Sequence, residues 1–325
     1  MSGWPPGAVG WRGVLLVACA AMAAPVLAAD DARGWLVRMG EALEFLNYEG
    51  TLVQFDGSEV AVMRVVHRVE DGKPTERITA MDEVGREIIR GGDDLTCILP
   101  DQHAVIVEKR GNDGKAASPL RQQFSGDLHF DDRYYQLTIA TGGKLVGRDT
   151  RVITVRPTDG YRYGYRLWLD RATAIPLKVQ IAGDDGVVVE QLLFSDISLP
   201  ERIPASAVQP SMTTASFTLR RRAATPALAP VPAGAGWRVD ALPPGFGLLD
   251  ARSQTADGAS APMEQLVYSD GVARVSVFIE GGVAPAEQAG GVSRMGAANA
   301  FTIVAGDYLV TAVGEVPLRT VEAIA

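Results

Sequence analysis

The chain has 325 residues, 47% of them hydrophobic, with 31 Lys and Arg against 39 Asp and Glu. That length accommodates about two domains of ~100–200 residues, each able to build a core. A net charge of −8 with scattered acids argues against a nucleic-acid partner, whose affinity comes mainly from phosphate neutralisation by Lys and Arg.

The first thirty residues have the layout of a secretory signal peptide. Arg12 precedes the apolar run Val14–Ala24, and small residues follow at Ala28 and Ala29. The run is too short to span a bilayer comfortably, so residues 1–29 are expected to be removed near Ala28 or Ala29. A rival reading takes Leu16-Val17-Ala18-Cys19 as a lipobox, but few apolar residues precede that Cys. Without the leader Cys97 stands alone, which excludes an intramolecular disulfide. Its alternation with Leu95 and Leu99 suits a small buried hydrophobe.

Residues Asp30–Asn47 place Trp35, Met39, Ala42, Leu43 and Leu46 at helical spacing, with Asp30 and Asp31 suited to the helix N-terminus. Strands follow at Tyr48–Phe55 and Val60–Glu70, then at Thr75–Met81, Arg86–Arg90, Leu95–Leu99 and Ala104–Glu108. Gly111–Lys115 reads as a loop, and residues 116–133 lack a clear period. Tyr134–Ala140 and Leu145–Arg156 return to strand.

Tyr161–Leu199 reads as a three-stranded antiparallel meander with short turns. In its first strand Tyr161, Tyr163, Tyr165, Leu167 and Leu169 alternate with Arg162, Gly164, Arg166 and Trp168. One face is therefore aromatic and aliphatic, the other basic. The expected fold is α+β, one helix against a large antiparallel sheet. A sheet bent around a helix can enclose an apolar trough. Met63, Val65, Tyr161, Tyr163, Tyr165 and Leu167 are its candidate walls; the alternative is a face packed solid by the helix.

The first domain is expected over residues 30–204 and a Pro-, Ala- and Gly-rich linker over 205–236. Arg220, Arg221 and Arg222 read either as a solvated charge run or as a contact for an anionic head group. A smaller β-rich domain spans 237–325. Its hairpin joins Gln265–Tyr268 to Ala273–Glu280, burying Ala273, Val275, Val277 and Ile279 and leaving Arg274, Ser276 and Phe278 on the other face. A second hairpin turns at Gly306-Asp307, and Pro317–Ile324 reads as a closing helix.

Catalytic and metal motifs are missing from the pattern. His67, His103 and His129 lack ligand spacing, and His67 reads as an interior residue. His129 with Asp131 and Asp132 offers a weak cation site that a polar loop explains equally well. Gly142-Gly143-Lys144 lacks the rest of a phosphate loop. No cofactor or metal is expected, and a binding protein is favoured over an enzyme.

Several stretches together resemble the MucB/RseB family of periplasmic regulators. They are Asn47-Tyr48-Glu49-Gly50-Thr51, Arg86-Glu87-Ile88-Ile89-Arg90 and Tyr161-Arg162-Tyr163-Gly164-Tyr165 with Trp168 and Asp170. In the second domain they are Leu242-Pro243-Pro244-Gly245-Phe246 after Trp237, Tyr268-Ser269-Asp270-Gly271 and Val313-Gly314-Glu315-Val316-Pro317. The first domain alone also resembles lipoprotein carriers of the LolA and LolB type. The resemblance implies a half-open barrel for acyl chains and a small domain gripping the periplasmic part of a membrane anti-sigma factor. That grip would shield the anti-sigma factor from a site-one protease until lipid or lipopolysaccharide fragments loosen it. Tyr268, Arg274 and Phe278 are then the candidate partner contacts, and self-association is left open. The competing reading is a periplasmic lipid or lipoprotein carrier, which leaves the second domain without a task.

Overall fold

A computed structural model describes residues 26–57, 59–92, 94–109, 120, 130–222, 229–230, 236–254, 263–282 and 290–325. The apolar run of the leader with Cys19, the loop Gly111–Lys115 and His129 lie outside the described residues. Helix α1 spans Val26–Phe45. Asp30 and Asp31 therefore lie inside it rather than at its start, a correction to the expected cap. Its stripe of Trp35, Leu36, Met39, Ala42 and Leu43 is buried, as the spacing requires.

Twelve strands form the large sheet. They are β1 Tyr48–Phe55, β2 Val60–Glu70, β3 Lys73–Ala80, β4 Glu87–Gly91, β5 Asp94–Leu99 and β6 Ala104–Lys109. The rest are β7 Tyr135–Leu145, β8 Arg148–Pro157, β9 Gly164–Asp170, β10 Pro176–Ala182, β11 Val188–Ser198 and β12 Thr218–Arg222. The order β12-β6-β5-β4-β3-β2-β1-β11-β10-β9-β8-β7 leaves the sheet open at β12 and β7, as a half-barrel requires. The expected meander is β9-β10-β11, antiparallel throughout. Gly50 explains one close approach in the sheet: a Cβ there would collide with the Asp196 carbonyl of β11.

Residues 205–222 of the expected linker hold a 3-10 turn at Ala205–Val208 and a strand at Thr218–Arg222. Ile203 and Val208 bury against Val66 on the face of the sheet away from α1, and Ser211 donates its backbone N–H to the buried Glu87 carboxylate at 3.1 Å. Phe217 stacks on His103 with centroids 5.6 Å apart. The chain then adds β12 in parallel register to β6. Composition misses this because a strap over a sheet needs few apolar anchors.

The small sheet has the order β13-β14-β15-β16-β19-β18-β17. Its strands are β13 Ala229–Pro230, β14 Gly247–Gln254, β15 Met263–Ser269, β16 Arg274–Gly281, β17 Gly291–Met295, β18 Ala298–Ala305 and β19 Tyr308–Gly314. Helix α2, Leu318–Ile324, starts after Pro317 and buries Val321 and Ile324 with Val275, Val277, Ile279 and Val310.

Candidate functional site

The two domains meet at a buried charge. Arg162 is fully buried, just ahead of β9. Its Nε donates to Asp270 Oδ2 at 2.5 Å, its Nη1 to Asp159 Oδ2 at 2.5 Å and its Nη2 to the Pro244 carbonyl. The guanidinium lies 4.5 Å from the Tyr134 ring centroid and 5.0 Å from that of Phe246. Tyr135 donates its hydroxyl to the same Asp270 oxygen at 2.8 Å. The other oxygen accepts the backbone N–H groups of Val272 and Ala273. A buried ion pair is tolerable when its polar atoms find partners; here each of the three guanidinium nitrogens donates and both Asp270 oxygens accept. Burial works most strongly against the Arg162 charge, but the Asp270 and Asp159 carboxylates together with Tyr135 outweigh it and hold the guanidinium pKa above its ordinary value. Burial, then Asp270, pushes the Tyr135 phenol up.

Leu242-Pro243-Pro244-Gly245-Phe246 now has a physical reason. Pro244 supplies the carbonyl and Phe246 the ring. Gly245 takes φ +84° where a Cβ would strike Tyr134 and the Arg162 guanidinium. Further contacts extend the joint. Asn299 donates to the Tyr163 hydroxyl at 3.0 Å, Thr320 to the Tyr161 carbonyl at 2.8 Å, and Arg319 pairs with Asp184 at 3.0 Å. The buried Glu190 accepts Gln54 Nε2 at 3.0 Å and the Ala297 N–H at 3.4 Å. Burial raises its pKa.

This joint corrects the expected trough. Val65 and Leu167 lie in the closed core under α1, with Met63 packed at its margin. Tyr163 is sealed against Ile181 and Ala297, Tyr165 packs between that cluster and the core, and Tyr161 precedes the strand rather than belonging to it. Alternation assigns the face correctly but does not reveal what covers it.

The same face opens elsewhere. Hydrogen-bonded register sets Val65, Ile78, Ile88, Cys97, Ile106 and Arg220 in one row across β2, β3, β4, β5, β6 and β12. Exposure rises over its first three members, from 1% at Val65 and 7% at Ile78 to 36% at Ile88. Cys97 and Ile106 are half-exposed and Arg220 exposed. Cys97 is thus not the buried hydrophobe expected. Strand alternation puts Arg220 and Arg222 on this face and Arg221 on the other. Sequence reading missed Ile88 and Ile106 because nothing in β4 and β6 shows where the helix cover ends; the arginines were the available signal.

In the small domain Tyr268 is buried, its hydroxyl accepting the Val239 N–H at 3.3 Å. It is core, a correction to its place among the partner contacts. Arg274 is exposed and Phe278 half-exposed on the face turned away from α2. His67 is interior, stacked on Tyr48 at 4.7 Å. The described residues hold no cluster of three or more His, Cys, Asp or Glu arranged for a metal ion. Among them no helix is long and apolar enough to cross a membrane.

The fold and these surfaces define a two-domain protein of largely antiparallel sheets joined through a buried charge. Family models describe it further: the MucB/RseB N-terminal domain matches residues 31–212 and the MucB/RseB C-terminal domain residues 232–325. The chain belongs to the MucB/RseB family. It is 31% identical over 324 residues to the sigma factor AlgU regulatory protein MucB of Pseudomonas aeruginosa, covering 96% of this chain and 95% of that one. The sigma-E factor regulatory protein RseB of Escherichia coli K12 is 26% identical over 321 residues, covering 97% and 96%. Among solved structures, the P. aeruginosa MucA/MucB complex matches with a TM-score of 0.68 and 28% identity over 90% of this chain and 96% of that one. MucB by itself matches with a TM-score of 0.58 and 28% identity over 91% and 96%.

Proposed function

We propose that this chain works in the periplasm as a non-enzymatic regulator that holds the periplasmic part of a MucA-type anti-sigma factor. The hold shields that segment from a site-one protease and keeps the sigma factor sequestered. A lipid or lipopolysaccharide fragment loosens it. The observation that carries the reading is the row that runs from sealed core at Val65 through exposed Ile88 and half-exposed Ile106 and ends at Arg220. Apolar floor beside guanidinium groups fits an acyl chain with an anionic head. The solved complex of a relative with MucA supports the protein partner. Release requires the lipid to favour the free regulator over the bound one, since a ligand shifts an equilibrium only by its differential affinity.

The test titrates the recombinant periplasmic part of the MucA-type anti-sigma factor into the mature chain, with and without lipopolysaccharide micelles. Binding in their absence and dissociation in their presence are expected. Arg220→Glu with Arg222→Glu should blunt the dissociation, whereas Arg221→Glu should leave it intact. A complex that survives saturating lipopolysaccharide overturns the sensor; absence of any complex overturns the regulator.

A further inference from the structure

A groove on the large sheet combines small side chains with unpaired charge. Ile153 and Leu167 face the core under α1, so Thr154 and Arg166 take the outward face. The groove lies on that face, at the end of β8–β11 nearest the small domain. Its volume of about 560 Å³ falls within the ~300–1,000 Å³ of small-molecule sites. Gly164 of β9 and Ala182 of β10 are register partners and floor it with almost no side chain. Thr154 and Gln180, the register partners of Arg166 on either side, line it as well.

Its charges are unevenly placed. At one end stand Arg156 and Arg166, both exposed. Arg156 sits two residues beyond Thr154 on β8, so the two arginines are diagonal neighbours with backbones about 7–8 Å apart. Lys178 of β10 is diagonal to Arg166 in turn. Like charges on adjacent strands destabilise a sheet, and one acid among them would remove the cost. Among the described residues none of the three pairs with a carboxylate; Arg166 and Lys178 lie against the Trp168 ring instead. The other end holds Asp159, Asp184 and Asp185. Asp159 is taken by Arg162, and Asp184 by Arg319 of α2, which places the small domain at the groove's end. Asp185 Oδ1 accepts the Val187 N–H at 2.9 Å, and no donor among the described residues reaches Oδ2.

We propose that this groove binds a small polar ligand with an oxyanion at one end and hydroxyl groups at the other, a phosphate or carboxylate of a short polyol. Arg156 and Arg166 donate to the oxyanion, since planar guanidinium forks match phosphate and carboxylate oxygens. Thr154 and Gln180 hydrogen-bond the middle, and Asp185 accepts from the hydroxyl end. Gly164 and Ala182 let the ligand lie close to the strand backbones. The row that ends at Arg220 is on the opposite face of the sheet, so the two sites do not overlap.

Calorimetric titration of the full mature chain with glycerol 3-phosphate, glycerate, inorganic phosphate and glycerol tests it. Glycerol 3-phosphate or glycerate should bind, inorganic phosphate about tenfold more weakly, and glycerol not at all. Arg156→Gln and Arg166→Gln should each raise Kd about tenfold, the size of a lost charge-assisted hydrogen bond. Ala182→Leu, which fills the floor without touching a charge, should raise it by a similar factor. The melting temperature should barely move in all three, because these side chains face outward. Arg220→Glu with Arg222→Glu should leave Kd unchanged. Displacement of glycerol 3-phosphate by phosphatidylglycerol vesicles keeps the site and names a lipid head group as the source of its ligand. Silence from every probe, vesicles included, overturns the proposal, as does an unchanged Kd in the two arginine variants. Inorganic phosphate binding as tightly as glycerol 3-phosphate, with Ala182→Leu indifferent, also overturns it and leaves an adventitious ion only.

Discussion

The large and small sheets each bury one face under a helix, and they part company on the other. On the large sheet the outward face of β8–β10 carries Arg156, Arg166 and Lys178. Arg166 and Lys178 lie against the Trp168 ring at 5.0 and 4.7 Å; burial, then Arg166, lowers the Lys178 pKa. Further along, Ile203 and Val208 strap the same face. On the small sheet the corresponding surface carries its charges on the edge-side strand β14, where Arg252 pairs with Asp250 at 2.6 Å, and at Arg274 and Glu280 of β16, while the side chains between these on β15, β16, β18 and β19 are uncharged. Two sheets of one chain thus differ: one meets water with cations and its own polypeptide, the other with half-exposed uncharged side chains between charged margins. Alternation identifies the buried side; the composition of the remaining side tells whether solvent is its partner.

The largest expected effect lies where the two sheets are tied. Arg162→Met leaves Asp270 buried without its cation, a loss of about 3–5 kcal/mol for breaking a buried pair. Scanning calorimetry should show one unfolding transition split into two, one per sheet. A single transition at unchanged temperature would mean that the sheets are held together by other contacts.

Of intermediate size is the contrast within the large sheet's row. Leu167→Ala, deep under α1, should cost about 2–5 kcal/mol in urea unfolding. Ile88→Ser should cost far less, yet reduce binding of a fluorescent fatty-acyl probe. Equal stability losses would erase the distinction between the closed and open ends of that face.

The smallest effect is a pH dependence. Burial raises the Glu190 pKa in the folded chain, so the folded state binds a proton more readily than the unfolded one. Its contribution is fully present below the unfolded value and is lost as pH rises through the raised folded one. Wild type should therefore gain stability relative to Glu190→Gln as pH falls from 7 toward 5. Parallel melting curves for the two proteins across that range would remove Glu190 from the joint's energetics.

Much of the fold is legible in the residues. Period-two alternation places Tyr48–Phe55, Val60–Glu70 and the β9-β10-β11 meander, and Trp35 to Leu43 give the helix. Phe278 on the less buried face follows from the same rule. The joint is less legible, because Arg162 on a basic-looking strand reads as a surface cation. Only the approach of Asp270 and Pro244, more than eighty residues away, makes it an interior one. For the same reason Tyr163 and Tyr165 read as cavity walls: sequence separates exposed from buried sides without saying which neighbour does the burying. The signature stretches Tyr161-Arg162-Tyr163, Leu242-Pro243-Pro244-Gly245-Phe246 and Tyr268-Ser269-Asp270-Gly271 converge on one junction, so they report architecture more than ligand.

The Gly245 backbone, pressed against Tyr134 and Arg162, bears on anyone who would build hybrids from related regulators. Halves from two relatives can be spliced through the Pro- and Ala-rich connector without a break in the chain. Such a chimaera would nonetheless mature poorly unless the arginine side and the Pro-Pro-Gly-Phe side came from the same parent. Modularity in this architecture ends at that arginine.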